Sequence, residues 1–415
     1  MSLISNWTVT GATDISSQTV SYFANNACSG AVVETEVVAG NTTNTDPFTG
    51  VDANFYHYFV TATDDAGNES LPSACSPALL IDTTSPAQAM SLGWNQTTPT
   101  NVASASINSS WAISGDGFVS DQEIEYYTGA ACDTLAVAYT SIGTGANTHQ
   151  IDTLLTLVTN TTYTYRIRTT DTASNQSVSL CSAPLTYDIS DPLAVTTPSL
   201  NWTEASPHNT ASINANWAVS LTPAAEILSQ SIQYYSTADC STTAEEGPFP
   251  LSSTDITHNL TGLTAAPPIN RYFAITTTDT ATNSITSACS PLLTIDTELP
   301  IAPDTLTFSE TSPTNVTGLN INWVQTTAVP DFQNYTVEFF NVPACAGTPT
   351  FTSSGIGATN LAVTGINNTT HSFRVIVFDL AGNQATSACS SDLVVDTSPP
   401  AIATNVEWDL SLIHI

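Results

Sequence analysis

One five-residue phrase occurs four times in this chain, always an Asp, an Ala in third place and an Asn in fifth. It reads Asp64-Asp65-Ala66-Gly67-Asn68, Asp171-Thr172-Ala173-Ser174-Asn175, Asp279-Thr280-Ala281-Thr282-Asn283 and Asp379-Leu380-Ala381-Gly382-Asn383, at steps of 107, 108 and 100 residues. A fixed period of this size means one folding unit copied in tandem, each copy contacting its neighbours. The surroundings repeat too. A Cys-Ser pair follows each phrase, then an apolar stretch ending in Asp, then a Pro. Upstream of each phrase stand a Trp (Trp7, Trp111, Trp217, Trp323), an aromatic-rich stretch such as Ile232-Gln233-Tyr234-Tyr235, and a first Cys at an offset of 21 to 23 from the Trp.

The repeat predicts modules over residues 1–85, 86–192, 193–300 and 301–400, with a truncated start of a fifth over 401–415. Copies two to four open with an extra strand before the Trp, such as Met90-Ser91-Leu92-Gly93-Trp94 or Leu200-Asn201-Trp202. Copy one starts without it, and Val406-Glu407-Trp408 reads as that strand beginning again. The chain is therefore expected to be a piece of a longer array. The residues from Leu410 match no part of the repeat and are read as a non-native tail.

Each copy is written in strand language. Tyr56-His57-Tyr58-Phe59-Val60-Thr61-Ala62-Thr63 and Tyr163-Thr164-Tyr165-Arg166-Ile167-Arg168-Thr169-Thr170 alternate large and polar residues at period two. Gly, Asn, Asp and Pro interrupt at short intervals, and no amphipathic helix longer than two turns is visible. About seven short strands in about 100 residues is the arithmetic of an immunoglobulin-like sandwich. The fold class expected is all-β, a tandem array of such modules.

Charge narrows the partners. There are 36 Asp and Glu against four basic residues, Arg166, Arg168, Arg271 and Arg374, for a net charge of −32. Nucleic acid and anionic membrane both need a cationic face, so neither is an expected partner. No apolar run reaches the length of a membrane-spanning helix, so no membrane insertion is expected.

Asn160-Thr161-Thr162-Tyr163-Thr164-Tyr165-Arg166-Ile167-Arg168-Thr169-Thr170-Asp171 resembles strand F and the following turn of fibronectin type III modules. That resemblance implies a core Trp on strand B, where Trp111 fits, and a corner Tyr, where Tyr163 and Tyr56 fit. Arg271 and His371 stand in its place in copies three and four. The Asp-x-Ala-Gly-Asn phrase and the closing Ile-Asp-Thr look like the Ig-like repeats of large bacterial surface adhesins, which implies an extracellular, structural role.

The eight cysteines come one pair per copy, and the repeat predicts Cys28–Cys75, Cys132–Cys181, Cys240–Cys289 and Cys345–Cys389. Free buried thiols are the alternative; zinc lacks any paired Cys or His spacing. Disulfides imply an oxidising compartment, outside the cell or on its surface. The phrase residues Asp64, Asp171, Asp279 and Asp379 suit an Asx-turn, their side chains bonding backbone two residues on. Together with Asp82, Asp188, Asp296 and Asp396 at the module ends, they are also the candidates for junctional calcium, a hard cation that takes carboxylates and carbonyls. No other cofactor is expected. Trp94, Trp202 and Trp408 are expected to pack under the neighbouring module, with a sugar-binding aromatic row as the alternative. The six His residues show no equivalent positions. No nucleophile elbow, HExxH, P-loop or dinucleotide motif occurs, so no enzyme activity is expected.

The functional expectation is a stalk or adhesive segment of a secreted or cell-surface bacterial protein, with a protein or glycan ligand unnamed. Accessory modules of an extracellular polysaccharide-degrading enzyme and a phage or virion fibre segment are the alternatives.

Overall fold

The structure, a computed structural model, describes every residue except 1, 10, 12, 26, 46–47, 114–117, 197–198, 264–266 and 408–415. Trp408 and the tail after it therefore lie outside the described residues. The chain divides into two compact units, Met1–Ser190 with Ala281–Asn283, and Asp191–Thr280 with Ser284–Ile415.

The longest strands carry the clearest pattern. Thr161–Asp171, Ile269–Asp279 and Thr369–Asp379 each alternate buried and half-buried positions along their length. Alternation at period two places one row of side chains in the core and the other towards solvent. Each pairs antiparallel with the strand that precedes it in its sheet: Val119–Thr128, Ile227–Tyr235 and Phe332–Phe340 respectively. Phe55–Asp64 pairs with Ile15–Phe23 in the same way. A third strand flanks every pair, and short strands such as Gln176–Val178 and Leu185–Tyr187 complete the far side.

A second, smaller sheet faces each of these. It contains Met90–Trp94, Asn108–Ala112 and Thr148–Gln150 in one module, Asn201–Trp202, Ile213–Asn216 and Thr257–Leu260 in the next, and Thr305–Phe308, Gly318–Val324 and Asn360–Thr364 in the last. At the start of the chain the small sheet has two strands, Ser2–Leu3 and Phe48–Thr49. Two antiparallel sheets enclosing one apolar core per repeat make this an all-β tandem array of Ig-like, fibronectin type III-like sandwiches.

The cores form around the predicted aromatics. Trp111, Trp217 and Trp323 are buried, each between the two sheets of its own module. The corner is built as expected where Tyr is present: Val51 N donates to Tyr56 Oη at 2.9 Å and Val158 N to Tyr163 Oη at 2.8 Å. In the fourth module His371 accepts the same bond, from Ile366 N to Nε2 at 2.9 Å. Arg271 does not: its Nη1 donates to the Asn270 carbonyl at 3.1 Å.

Trp94 and Trp202 depart from expectation. They pack inside their own modules, Trp94 edge-on to Tyr165 and Trp202 edge-on to Phe273, both at 4.9 Å. Their indole N–H groups donate to the carbonyls of Ala183 and Pro291, each at 2.8 Å. The strand carrying each Trp pairs with the strand after it in its own small sheet, which points the ring into that core. Half-buried rings held edge-on offer no flat platform for a sugar.

Candidate functional site: the module junctions

The phrase Asp-x-Ala-x-Asn closes a tight turn, and its chemistry is local first. Asp64 Oδ1 accepts the backbone N–H groups of Ala66 and Asn68, and Asp171 Oδ1 those of Ala173 and Asn175. Asp379 Oδ1 accepts from Asn383 N at 2.8 Å. Asp279 holds the same place at the end of its strand. The fourth residue of each phrase takes the left-handed conformation, with φ of 87° at Gly67, 73° at Ser174, 73° at Thr282 and 89° at Gly382. Thr282 is β-branched, so its backbone there is strained. The Asx-turn reading describes Asp64 and Asp171, whose Oδ1 accepts from the residue two places on.

The Asn in fifth place works in two directions. Asn175 Nδ2 donates to Asp171 Oδ2 within its own turn and to the Asp82 carbonyl at the end of the previous module, both at 2.9 Å. Asn383 Nδ2 repeats this with Asp379 Oδ2 and the Asp296 carbonyl, again both at 2.9 Å. Asn283 Nδ2 donates to the Asp188 carbonyl at 3.1 Å, both residues belonging to the first unit. An amide NH2 has two hydrogens, and here one fixes the turn while the other fastens the neighbour. Asn383 is buried by this arrangement, whereas Asn68 is exposed and bonds Asp64 Oδ2.

The module-end aspartates cap their own turns. Oδ1 accepts from Thr84 N in Asp82, from Ser190 N in Asp188, from Glu298 N in Asp296 and from Ser398 N in Asp396. Of the eight candidate calcium residues, the structure brings Asp296 and Asp379 together with a third carboxylate, Asp331; their oxygens lie within 4.8 Å of one another. A cavity of about 230 Å3, bounded by Asp296, Leu299, Pro300, Val329 and Asp331, opens beside it. Burial pushes the Asp296 carboxyl above its usual range, and the neighbouring Asp331 and Asp379 charges push the same way. Such a cluster wants a proton or a hard cation.

Asp331 escaped the sequence reading because its position is not uniformly acidic. Its carbonyl accepts Leu380 N at 2.8 Å, and the same bond is made by the carbonyls of Asp14, Phe118 and Glu226 to the second residue of their phrases. The Phe in the second copy hides the pattern.

All four predicted cysteine pairs are joined, with Cα–Cα distances of 5.7, 6.0, 5.7 and 5.9 Å. Each staple ties the turn after the first strand of the central pair to the segment entering the last short strand. His57 approaches Cys75 Sγ at 3.5 Å, but that sulfur is in a disulfide and so is no thiolate ligand.

The histidines correct another expectation. His149 pairs with Ser109 and His258 with Ala215, each two residues before the core Trp, so the two are equivalent. Tyr126 Oη meets His149 Nδ1 at 2.9 Å, and Tyr234 Oη meets His258 Nδ1 at 2.7 Å. The shared Thr-His dipeptide was the sequence signal.

No family model matches the chain, and no curated protein does. Among solved structures 459 chains match, so common a sandwich that it leaves function open. One is the crystal structure of chicken CNTN1 FN1-FN3 domains, aligned at 11% identity over 75% of this chain and 98% of that chain, with a TM-score of 0.32. A likeness that loose adds nothing to the strand pairing described above.

Proposed function

We propose that the chain is a structural spacer, a stalk or adhesive segment of a secreted or cell-surface protein whose modules are fastened end to end. The observation that carries this is the double-sided Asn. Asn175 and Asn383 each spend half the amide on their own turn and half on a carbonyl at the end of the preceding module, and Asn283 reaches the Asp188 carbonyl in the same way. That arrangement serves mechanical continuity between modules. Four staples in a chain without free cysteine support an oxidising compartment. The test is small-angle scattering of the full chain against a variant with Asn175, Asn283 and Asn383 all changed to Ala. Looser junctions should broaden the distribution of end-to-end distances while each module stays folded; an unchanged profile sinks the reading.

Calcium belongs to this proposal at Asp296, Asp331 and Asp379 alone. A hard cation there would draw on about six to eight oxygens, with carbonyls and water completing the set. The same melting temperature in calcium and in chelator would remove it.

A further inference from the structure

The four staples share a connectivity but not their surroundings. The position just after the corner residue holds His57, Thr164, Tyr272 and Ser372 in turn. In the second module Cys132 N donates to Thr164 Oγ1 at 3.2 Å, and in the fourth Cys345 N donates to Ser372 Oγ at 2.9 Å. In the third Cys240 N donates to the Thr237 carbonyl at 3.2 Å. In those three modules the N–H of the first cysteine is therefore spent on an oxygen.

His57 makes the first module different. Its Nδ1 lies 2.9 Å from the Ser76 carbonyl oxygen, which can only accept, so Nδ1 carries the hydrogen. That nitrogen has no lone pair left for the Cys28 N–H, which donates instead to Cys75 Sγ at 3.2 Å. The same Nδ1 stands 3.5 Å from Cys75 Sγ. One sulfur thus faces two donors. The polar neighbours of two other staple sulfurs are carbonyl oxygens, that of Tyr165 at 4.0 Å from Cys132 Sγ and that of Thr237 at 3.7 Å from Cys289 Sγ. A carbonyl oxygen opposes negative charge on a neighbouring sulfur, whereas an N–H group stabilises it. His57 is buried, so water competes little for its hydrogen.

We propose that Cys28–Cys75 is a thiol-exchange site, at which a small thiol attacks Cys28 Sγ and Cys75 is the leaving group. The thiol loses its proton to water and attacks as the thiolate. A new S–S bond forms to Cys28, the bond to Cys75 breaks, and its electron pair goes to Cys75 Sγ. The Cys28 and His57 N–H groups hold that thiolate until it takes a proton from water. Exchange runs faster the better the leaving thiolate is stabilised, and Cys75 is the sulfur built for that. A second thiol then attacks the mixed disulfide and frees Cys28. Two small thiols are oxidised to their disulfide, and the protein cystine is reduced to two thiols. The staple of the first module is in this way a covalent acceptor for thiols, while the other three are structural.

The test incubates the full chain with glutathione, stops the reaction by alkylation at intervals, and assigns each cysteine by peptic digestion and mass spectrometry. Cys28–Cys75 should open at least about tenfold faster than the other three staples, which serve as internal standards, and the first glutathione adduct should sit on Cys28. His57→Thr installs the residue of the second module and gives the Cys28 N–H an oxygen to bond. It should bring the rate to within about threefold of the other staples. Thermal melts of the oxidised variant check that its first module stays folded; if it does not, the position of the adduct in the unchanged chain still decides. Four equal rates, an adduct on Cys75, or an advantage that survives His57→Thr in a folded module would each overturn the proposal.

Discussion

At the scale of single residues, the four repeated tryptophans divide: among the described residues the indole N–H groups of Trp111 and Trp323 are buried without a hydrogen-bond partner, while those of Trp7 and Trp217 have one. Trp7 Nε1 donates to Gln18 Oε1 at 2.7 Å, and Trp217 Nε1 to Gln230 Oε1 at 3.2 Å. The amide then spends its own N–H groups on loop carbonyls, Gly40 and Thr42 at 2.8 Å in one case and Ser253 at 2.9 Å in the other. In the fourth module Tyr335 stands at that place, edge-on to Trp323 at 5.5 Å. Gln230→Leu strands an indole N–H and a carbonyl together, so it should cost the third module about 1–3 kcal/mol, read by equilibrium denaturation. The histidine pairs predict a pH effect. Burial lowers the pKa of His149 and of His258 from the usual 6.5. The unfolded chain therefore binds the extra protons first as pH falls, so the stability these residues lend is complete above about pH 6.5 and drains below it. His149 faces Tyr126 and Thr153; His258 faces Tyr234 and Phe249, with the Glu204 and Glu246 charges acting on Tyr234. Changing both His to Gln should flatten the fall in melting temperature between about pH 7 and about pH 5.

At the scale of elements, the corner before the last long strand tests whether geometry or residue type matters. His371 accepts the Ile366 N–H as Tyr163 accepts that of Val158. His371→Phe removes the acceptor and should destabilise the fourth module by about 1–3 kcal/mol, while His371→Tyr should be nearly neutral; thermal melts of both variants decide it. The long strands, the core Trp and the cysteine pairing were legible in the sequence because each is written in side chains at a regular spacing. The Asn175 and Asn383 contacts were not, because their targets are backbone carbonyls, which any residue supplies. Trp94 and Trp202 were misplaced for a related reason. Sequence puts them near a boundary, and only strand pairing shows which side of it they face.

At the scale of the whole molecule, four modules with their own cores should yield to force separately. Each disulfide locks a loop of 44 to 49 residues that cannot extend while the bond holds. In the chain-entropy picture such a loop is worth about 3–4 kcal/mol per module. Pulled by its ends, the oxidised chain should therefore lengthen in short steps. Reduction should add about 150–170 Å to each step, since an extended residue spans about 3.3–3.6 Å. Steps of equal length in both conditions would mean that the staples carry no tension.

The placement of the four arginines has a consequence for digestion. With no lysine in the chain, a protease specific for basic residues can cut only after Arg166, Arg168, Arg271 and Arg374. All four lie inside the long strands Thr161–Asp171, Ile269–Asp279 and Thr369–Asp379, where Arg168 pairs with strands on both sides and Arg166, Arg271 and Arg374 each pair with one. A bond in the middle of a paired strand reaches a protease only when that sandwich opens. Nicking at each site therefore clocks the opening of one module at a time, and the first module, which holds no basic residue, stays invisible to that clock.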